Sequence, residues 1–155
     1  AVEATKAALE QGIVPGGGIA LLNESVKLSE KSDIAAQILA EALSMPAKQI
    51  AANSGQSPER VVSRVQDLQK AYEGEKMNPN ANWNMGYNAE ENTYVDMLEA
   101  GIIDPTKVVI SALTNAVSAA AMLLTTEAVV TDIPEKKEKG MPSGMPGMGG
   151  MDMGM

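Results

Sequence analysis

Apolar residues recur at helical spacing along most of this chain, and that period limits it to a mainly helical fold more firmly than any single motif does. The side chains that carry it are small. Alanine, valine, leucine, isoleucine and methionine supply it, phenylalanine is absent and tryptophan occurs once, a set suited to closely packed helices. With 155 residues, 45% of them hydrophobic, the chain is long enough for one domain, provided that nothing from outside is needed to complete its core.

Turn-forming residues cut the period into separate helices. Residues 1–11 place Val2, Ala4, Ala8 and Leu9 among Glu3, Lys6 and Glu10, and the run stops at Gly12, a common helix-terminal residue. Residues 13–18 (Ile-Val-Pro-Gly-Gly-Gly) read as a turn-rich connection, its glycines at the N-terminus of a second helix through Ile19, Leu22, Val26 and Leu28. Over residues 33–53 the positions Ile34, Ile38, Leu39, Leu43, Ala47 and Ile50 continue the pattern, with Ser32 or Asp33 as N-cap and Gly55 past the end. Pro46 lies inside that run. Proline lacks a backbone donor and crowds the preceding turn, so a kink or short break is expected near residues 44–46. Ser57 and Pro58 restart a helix as N-cap and first helical residue, running through Val61, Val62 and Val65 to about Tyr72.

The second half is more varied. Residues 73–84, with Gly74, Pro79 and four asparagines, read as a surface loop. Residues 83–87 and 93–97 read as extended segments that could pair as one small hairpin. Asp104 and Pro105 open a last long helix whose Val108, Leu113, Val117, Ala121 and Leu124 form a wide apolar face. Residues 128–131 read as a terminal strand in need of a partner. Residues 135–155, a Glu/Lys run and then a Gly, Met and Pro tail, have no period and are expected to be disordered, which leaves residues 1–134 as the folded part.

Charge and composition exclude whole classes of function. A formal charge of -8 argues against a nucleic-acid partner, whose phosphates need clustered Lys and Arg. The absence of Cys and His removes disulfides, thiol nucleophiles and the commonest metal ligands and general base. No charged-then-apolar leader opens the chain. The longest apolar stretch, residues 112–124, is interrupted by Thr114, Asn115 and Ser118 and is too short for a bilayer, and the helices lack the Lys-rich face of a membrane-surface protein, so no membrane partner is expected. The chain opens at Ala1 already inside a helical pattern and is expected to be a fragment.

Three segments carry chemistry. The first is Ala4-Thr5-Lys6-Ala7-Ala8 followed by Gly12 and Gly16-Gly17-Gly18, where missing β-carbons let a ligand approach the backbone and helix-terminal amides favour an electron-rich partner; a flexible linker is the plain alternative. The second runs from Gly86-Tyr87-Asn88-Ala89 to Gly101-Ile102-Ile103-Asp104-Pro105. There the Asn88 amide and the Ala89 backbone can donate and accept hydrogen bonds, and the Asp104 carboxylate can accept them. Asp104 could equally be a helix N-cap, and Asn88 simply the hairpin's turn residue. The third is the end of the chain, Thr125-Thr126-Glu127, Val130-Thr131-Asp132-Ile133-Pro134 and the Gly/Met tail.

Together these segments resemble the group I (GroEL-type) chaperonins over nearly the whole chain. The resemblance implies the C-terminal half of an equatorial ATP-binding domain, with Gly17 touching the nucleotide and Asn88, Ala89, Glu90 and Asp104 forming the nucleoside wall. Glu90 stands where the family usually has a small residue, and the stretch from Val65 to Gly86 is longer than usual. The cofactor implied is ATP, with magnesium and the phosphates held by residues outside this chain. The catalytic aspartate would directly precede Ala1. Glu3 cannot replace it, since a helix turns about 100° per residue and aims Glu3 elsewhere. No catalytic or metal residue is therefore expected here. Implied partners are identical subunits in a heptameric ring, two such rings stacked, a co-chaperonin lid and unfolded client proteins, in the bacterial cytoplasm. The terminal strand would pair with a neighbouring subunit, and the methionines of the tail could touch clients or serve as a passive spacer. The rival reading is a free-standing helical interaction domain that binds no nucleotide.

Overall fold

The computed structural model describes residues 2–72 and 82–132, so most of the loop expected at residues 73–84 and all of the tail at 135–155 lie outside the described residues. Five helices form where the apolar period and its caps put them. α1 (Val2–Gln11) stops as Gly12 turns left-handed at φ 78°, and the Gly12 N–H closes the last turn on Ala8 O at 2.8 Å. α3 (Ile34–Asn53) is capped by Asp33, whose carboxylate accepts from the Ala35 N–H at 3.3 Å. α4 (Pro58–Tyr72) starts with its proline in the first turn, and Gly55, at φ 78°, lies just beyond α3.

α2 (Ile19–Ser29), α3 and α4 stack into the core together with one face of a hairpin. Ile19, Leu22, Ala47, Ala51, Val61, Val62, Val65, Tyr87 and Met97 form one buried cluster. Small residues set how closely the helices meet. Gly18, the N-cap of α2, comes so near α3 that a β-carbon on it would lie 2.7 Å from Ala47 N, and the buried Ser25 hydroxyl donates to Ala40 O at 2.7 Å. A buried amide pair fixes the approach to the hairpin. Gln69 Nε2 donates to Asn23 Oδ1 at 3.0 Å and to Met85 O at 3.1 Å, while Asn23 Nδ2 donates to Trp83 O at 2.7 Å.

Four expectations need amending. α3 runs through Pro46 without a break. The carbonyl that proline leaves without an N–H belongs to Ala42, on an exposed turn where water can satisfy it. Residues 13–15 form not a turn but a strand, β1 (Ile13–Pro15), antiparallel to β4 (Ile103–Pro105), so there are two strand pairs and not one. The same pairing moves Asp104 off the helix: it lies in β4 opposite Val14, Pro105 is the N-cap with extended backbone, and α5 (Thr106–Leu124) begins after it. Residues 128–131 have no strand partner among the described residues and are irregular and exposed. The expected hairpin does form, as β2 (Met85–Asn88) against β3 (Thr93–Asp96), while Trp83 and Asn84 belong to a short 3-10 turn before it.

α1 and α5 leave the same end of the β1–β4 ribbon and pack on each other, tied by an ion pair between Lys107 and Glu10. Neither helix contains a buried residue. Between α5 and the outer face of α3 lies an apolar groove of about 620 Å³, lined by Leu21, Ile38, Leu39, Leu43, Val117 and Leu124 among others. α5 also proves longer than the apolar stretch read from sequence. By length and composition alone it could cross a membrane, at a mean hydropathy of 1.6.

Candidate functional site

Three pieces of backbone carry the candidate residues, and the ribbon and the hairpin bring them together. The first is the glycine turn. The Gly16 N–H extends the β1–β4 ladder by donating to Ile102 O at 2.9 Å, and a β-carbon at Gly16 would lie 3.0 Å from the Ile102 carbonyl. Gly17 and Gly18 follow with φ of 64° and 78°, two successive left-handed residues that swing the chain from ribbon into α2. Gly17 is only half-buried, so its backbone remains within reach of a ligand.

The second piece is the hairpin turn. Asn88 pairs with Thr93 across the strands, and its Oδ1 accepts from the N–H of Glu90 at 3.0 Å and, more weakly, from Glu91 at 3.5 Å. The turn closes at Asn92, left-handed at φ 56°. Tyr87 OH donates to Asn92 Oδ1 and pairs with Ser54 Oγ, both at 3.0 Å, fastening the turn to the end of α3. Asn88 is thus the turn residue, yet only its carbonyl is spent: its Nδ2 hydrogens have no partner among the described residues. Ala89 is half-buried against the core cluster, and Glu90 is exposed.

The third piece is β4. Asp104 is half-buried, and its carboxylate makes no hydrogen bond or ion pair with a described residue; the nearby cation, Lys107, is turned to Glu10. Because Gly16 and Ile102 are bonded at 2.9 Å, chain reach alone keeps Gly17 and Asp104 within about 15 Å of each other. On the other side, a β-carbon at Gly17 would lie 2.7 Å from Met97 Cε and 3.9 Å from Tyr87 O, the carbonyl just before Asn88. Gly17 therefore sits between the hairpin and β4. Glu90 stands apart at the exposed turn, joined to this group only through its N–H on Asn88.

What the arrangement offers is two acceptor oxygens, a pair of amide donors and a bare stretch of backbone, the equipment to hold a polar ring and its hydroxyls in place. Among the described residues no group of three or more Asp, Glu, His or Cys could hold a metal ion. Two supports carry no local signal of this role in the sequence: Met97, which reads as the end of an extended segment, and Ile13-Val14, which read as part of a turn. The signal for the ribbon lay in two short β-branched pairs, Ile13-Val14 and Ile102-Ile103, each followed closely by proline.

Comparison with known proteins bears on the family and the fold. Residues 1–134 match the TCP-1/cpn60 chaperonin family. Among solved structures, a group III chaperonin in its open state superposes with a TM-score of 0.66 at 25% sequence identity, over 80% of this chain. The chain spans a quarter of the length of that protein, 25% of its residues.

Proposed function

Since the chain belongs to the TCP-1/cpn60 chaperonin family, we propose that it is the C-terminal part of the equatorial ATP-binding domain of a group I, GroEL-type ring subunit, where it supplies the nucleoside wall. The observation that carries this reading is the meeting of three distant segments: the glycine turn, bonded to Ile102 just before β4, lies against Met97 and Tyr87 of the hairpin. A ligand-free helical interaction domain gives no reason for them to meet. In the proposed site the Gly17 backbone lies along the nucleotide, the Asn88 amide and Ala89 backbone face the adenine edge, and Asp104 accepts from the ribose hydroxyls. Glu90, exposed beside them, lies at the rim.

The chemistry that ATP supplies when bound, transfer of its terminal phosphoryl group to water, needs charge stabilisation around the phosphates. This chain's own contribution is to bind and orient the nucleoside, and the phosphate loop, magnesium ligands and catalytic aspartate belong to the rest of the subunit. The remainder of the equatorial domain would also cover the groove between α3 and α5, which accounts for an apolar α5 without a membrane. The whole protein would act as two stacked heptameric rings of identical subunits in the bacterial cytoplasm, closed by a co-chaperonin lid around unfolded clients. The Gly/Met tail and the segment from Gly86 to Lys107 favour the group I branch.

Calorimetric titration of the complete subunit with ATP and magnesium tests the reading. Losing one hydrogen bond to a charged group, as in Asp104→Ala, is expected to weaken binding by about 1.5–3 kcal/mol, roughly tenfold or more. Unchanged affinity in both Asp104→Ala and Asn88→Ala would sink it. The 155-residue chain by itself is expected to release no phosphate from ATP. Magnesium-dependent turnover that disappears in Asp104→Ala would mean that these residues hold a complete catalytic site.

A further inference from the structure

We propose that Met97 is the positioning residue of the nucleoside wall, the side chain that sets Gly17 against the hairpin; this rests on the nucleotide reading above. Met97 is fully buried, at 0% exposure. Its backbone holds two of the three segments: the Met97 N–H donates to Asn84 O at 2.9 Å, at the start of the hairpin, and Met97 O accepts from the Ile102 N–H at 2.8 Å, on the way into β4. Its side chain holds the third.

Two glycines shape the slot for that side chain. A β-carbon on Gly86 would lie 2.6 Å from Met97 Cγ and 2.7 Å from Sδ, and one on Gly17 would lie 2.7 Å from Cε. The thioether thus runs from β2 to the glycine turn through space that any side chain at either glycine would fill. Its terminal methyl is the backstop on which the left-handed Gly17 rests. Methionine suits the task because it is long, unbranched and polarizable, and reaches across a narrow gap where a branched side chain stops short. The length of this one side chain therefore sets how far Gly17 stands from the hairpin and its Asn88, while the Gly16–Ile102 bond ties Gly17 to β4. Altering it moves the groups facing the nucleoside and leaves the groups around the phosphates, outside this chain, where they are.

That division gives the test a readout which a merely structural role would not move. In the complete subunit, Met97→Leu keeps most of the volume but loses the reach to Gly17. It is expected to lower the affinity for ATP about tenfold, while inorganic tripolyphosphate competes as well as before. Gly86→Ala, whose β-carbon would meet the same thioether from its other end and also Ile19 Cγ1 at 2.6 Å, is expected to give the same nucleoside-selective loss. Should either variant fold poorly, the unaltered subunit labelled with carbon-13 in its methionine methyls decides the matter: the Met97 methyl signal is expected to shift on adding ADP and to stay in place with tripolyphosphate alone. Equal losses for ATP and tripolyphosphate, no loss, or a Met97 signal indifferent to ADP would overturn this inference and leave the nucleotide reading intact. Failure of the unaltered subunit to bind ATP would overturn both.

Discussion

The core of α2, α3, α4 and the hairpin and the arm of α1 and α5 are built from the same aliphatic alphabet, yet only the first buries residues fully. In the core, Leu22 is 1% exposed and Val65 1%; on the arm, Leu124 is 86% exposed and no residue of α1 or α5 is buried. An apolar period says that a face exists to be covered, and it does not say that the cover lies in the same chain. The core finds its partners at home. The arm displays a face whose partner, on the proposed reading, is the remainder of the subunit.

The widest contrast is expected from truncating leucines. Leu22→Ala should destabilise the 155-residue chain by about 2–5 kcal/mol in urea unfolding, since it leaves a cavity among Ile19, Ala51 and Val65, whereas Leu124→Ala should stay within about 0.5 kcal/mol. A comparable cost at Leu124 would break the comparison. If the same Leu124→Ala becomes costly in the complete subunit, the comparison is sharpened into a statement about what covers the arm.

Glycines give a matched pair next. Gly12, beside α1, and Gly18, in the core, share φ 78°, and nothing lies within 4 Å of a β-carbon on the first. Alanine at either site bears a left-handed strain of about 1–3 kcal/mol, so any excess in Gly18→Ala over Gly12→Ala measures packing against Ala47 and not backbone strain. Equal losses would mean that α3 yields freely. The groove itself should make the isolated chain self-associate. Leu39→Glu with Val117→Glu is expected to weaken that association about tenfold, or 1.4 kcal/mol, in sedimentation velocity. Association unaffected by both charges would put the sticky face elsewhere. The smallest effect belongs to the exposed pair between Lys107 and Glu10: Lys107→Ala should cost at most about 1 kcal/mol and less in high salt.

The parts legible in the sequence were those decided by neighbours along the chain. Gly12, Asp33, Pro58 and Gly55 punctuate helices through local backbone chemistry, and their helices begin and end where those residues indicate. Asn88 reads as a turn residue for the same reason. The β1–β4 ribbon was not legible, because strands of three residues carry too little pattern and their partner lies at the far end of the chain. Missing it also misplaced Asp104, since the Asp-Pro signal for a helix start is overridden when pairing with Val14 keeps Asp104 and Pro105 extended. Pro46 misled in the opposite direction: the local rule expected a break, but α3 is held on both sides of it by α2. Met97 was invisible as a support because its role depends on two glycines from different segments.

The ribbon also bears on the order in which the molecule assembles. Joining Gly16 to Ile102 closes a loop of roughly 90 residues that contains the whole core, and for a flexible chain of that length the closure entropy is about 4 kcal/mol. Six residues of two-stranded ladder cannot offset that by themselves. The helices inside the loop, whose contacts are nearer in sequence, must shorten the gap first, so the ribbon zips up late and α1 meets α5 later still. Changes at Ile13 and Ile103 should therefore speed unfolding with little effect on the folding rate, whereas Leu22→Ala should slow folding.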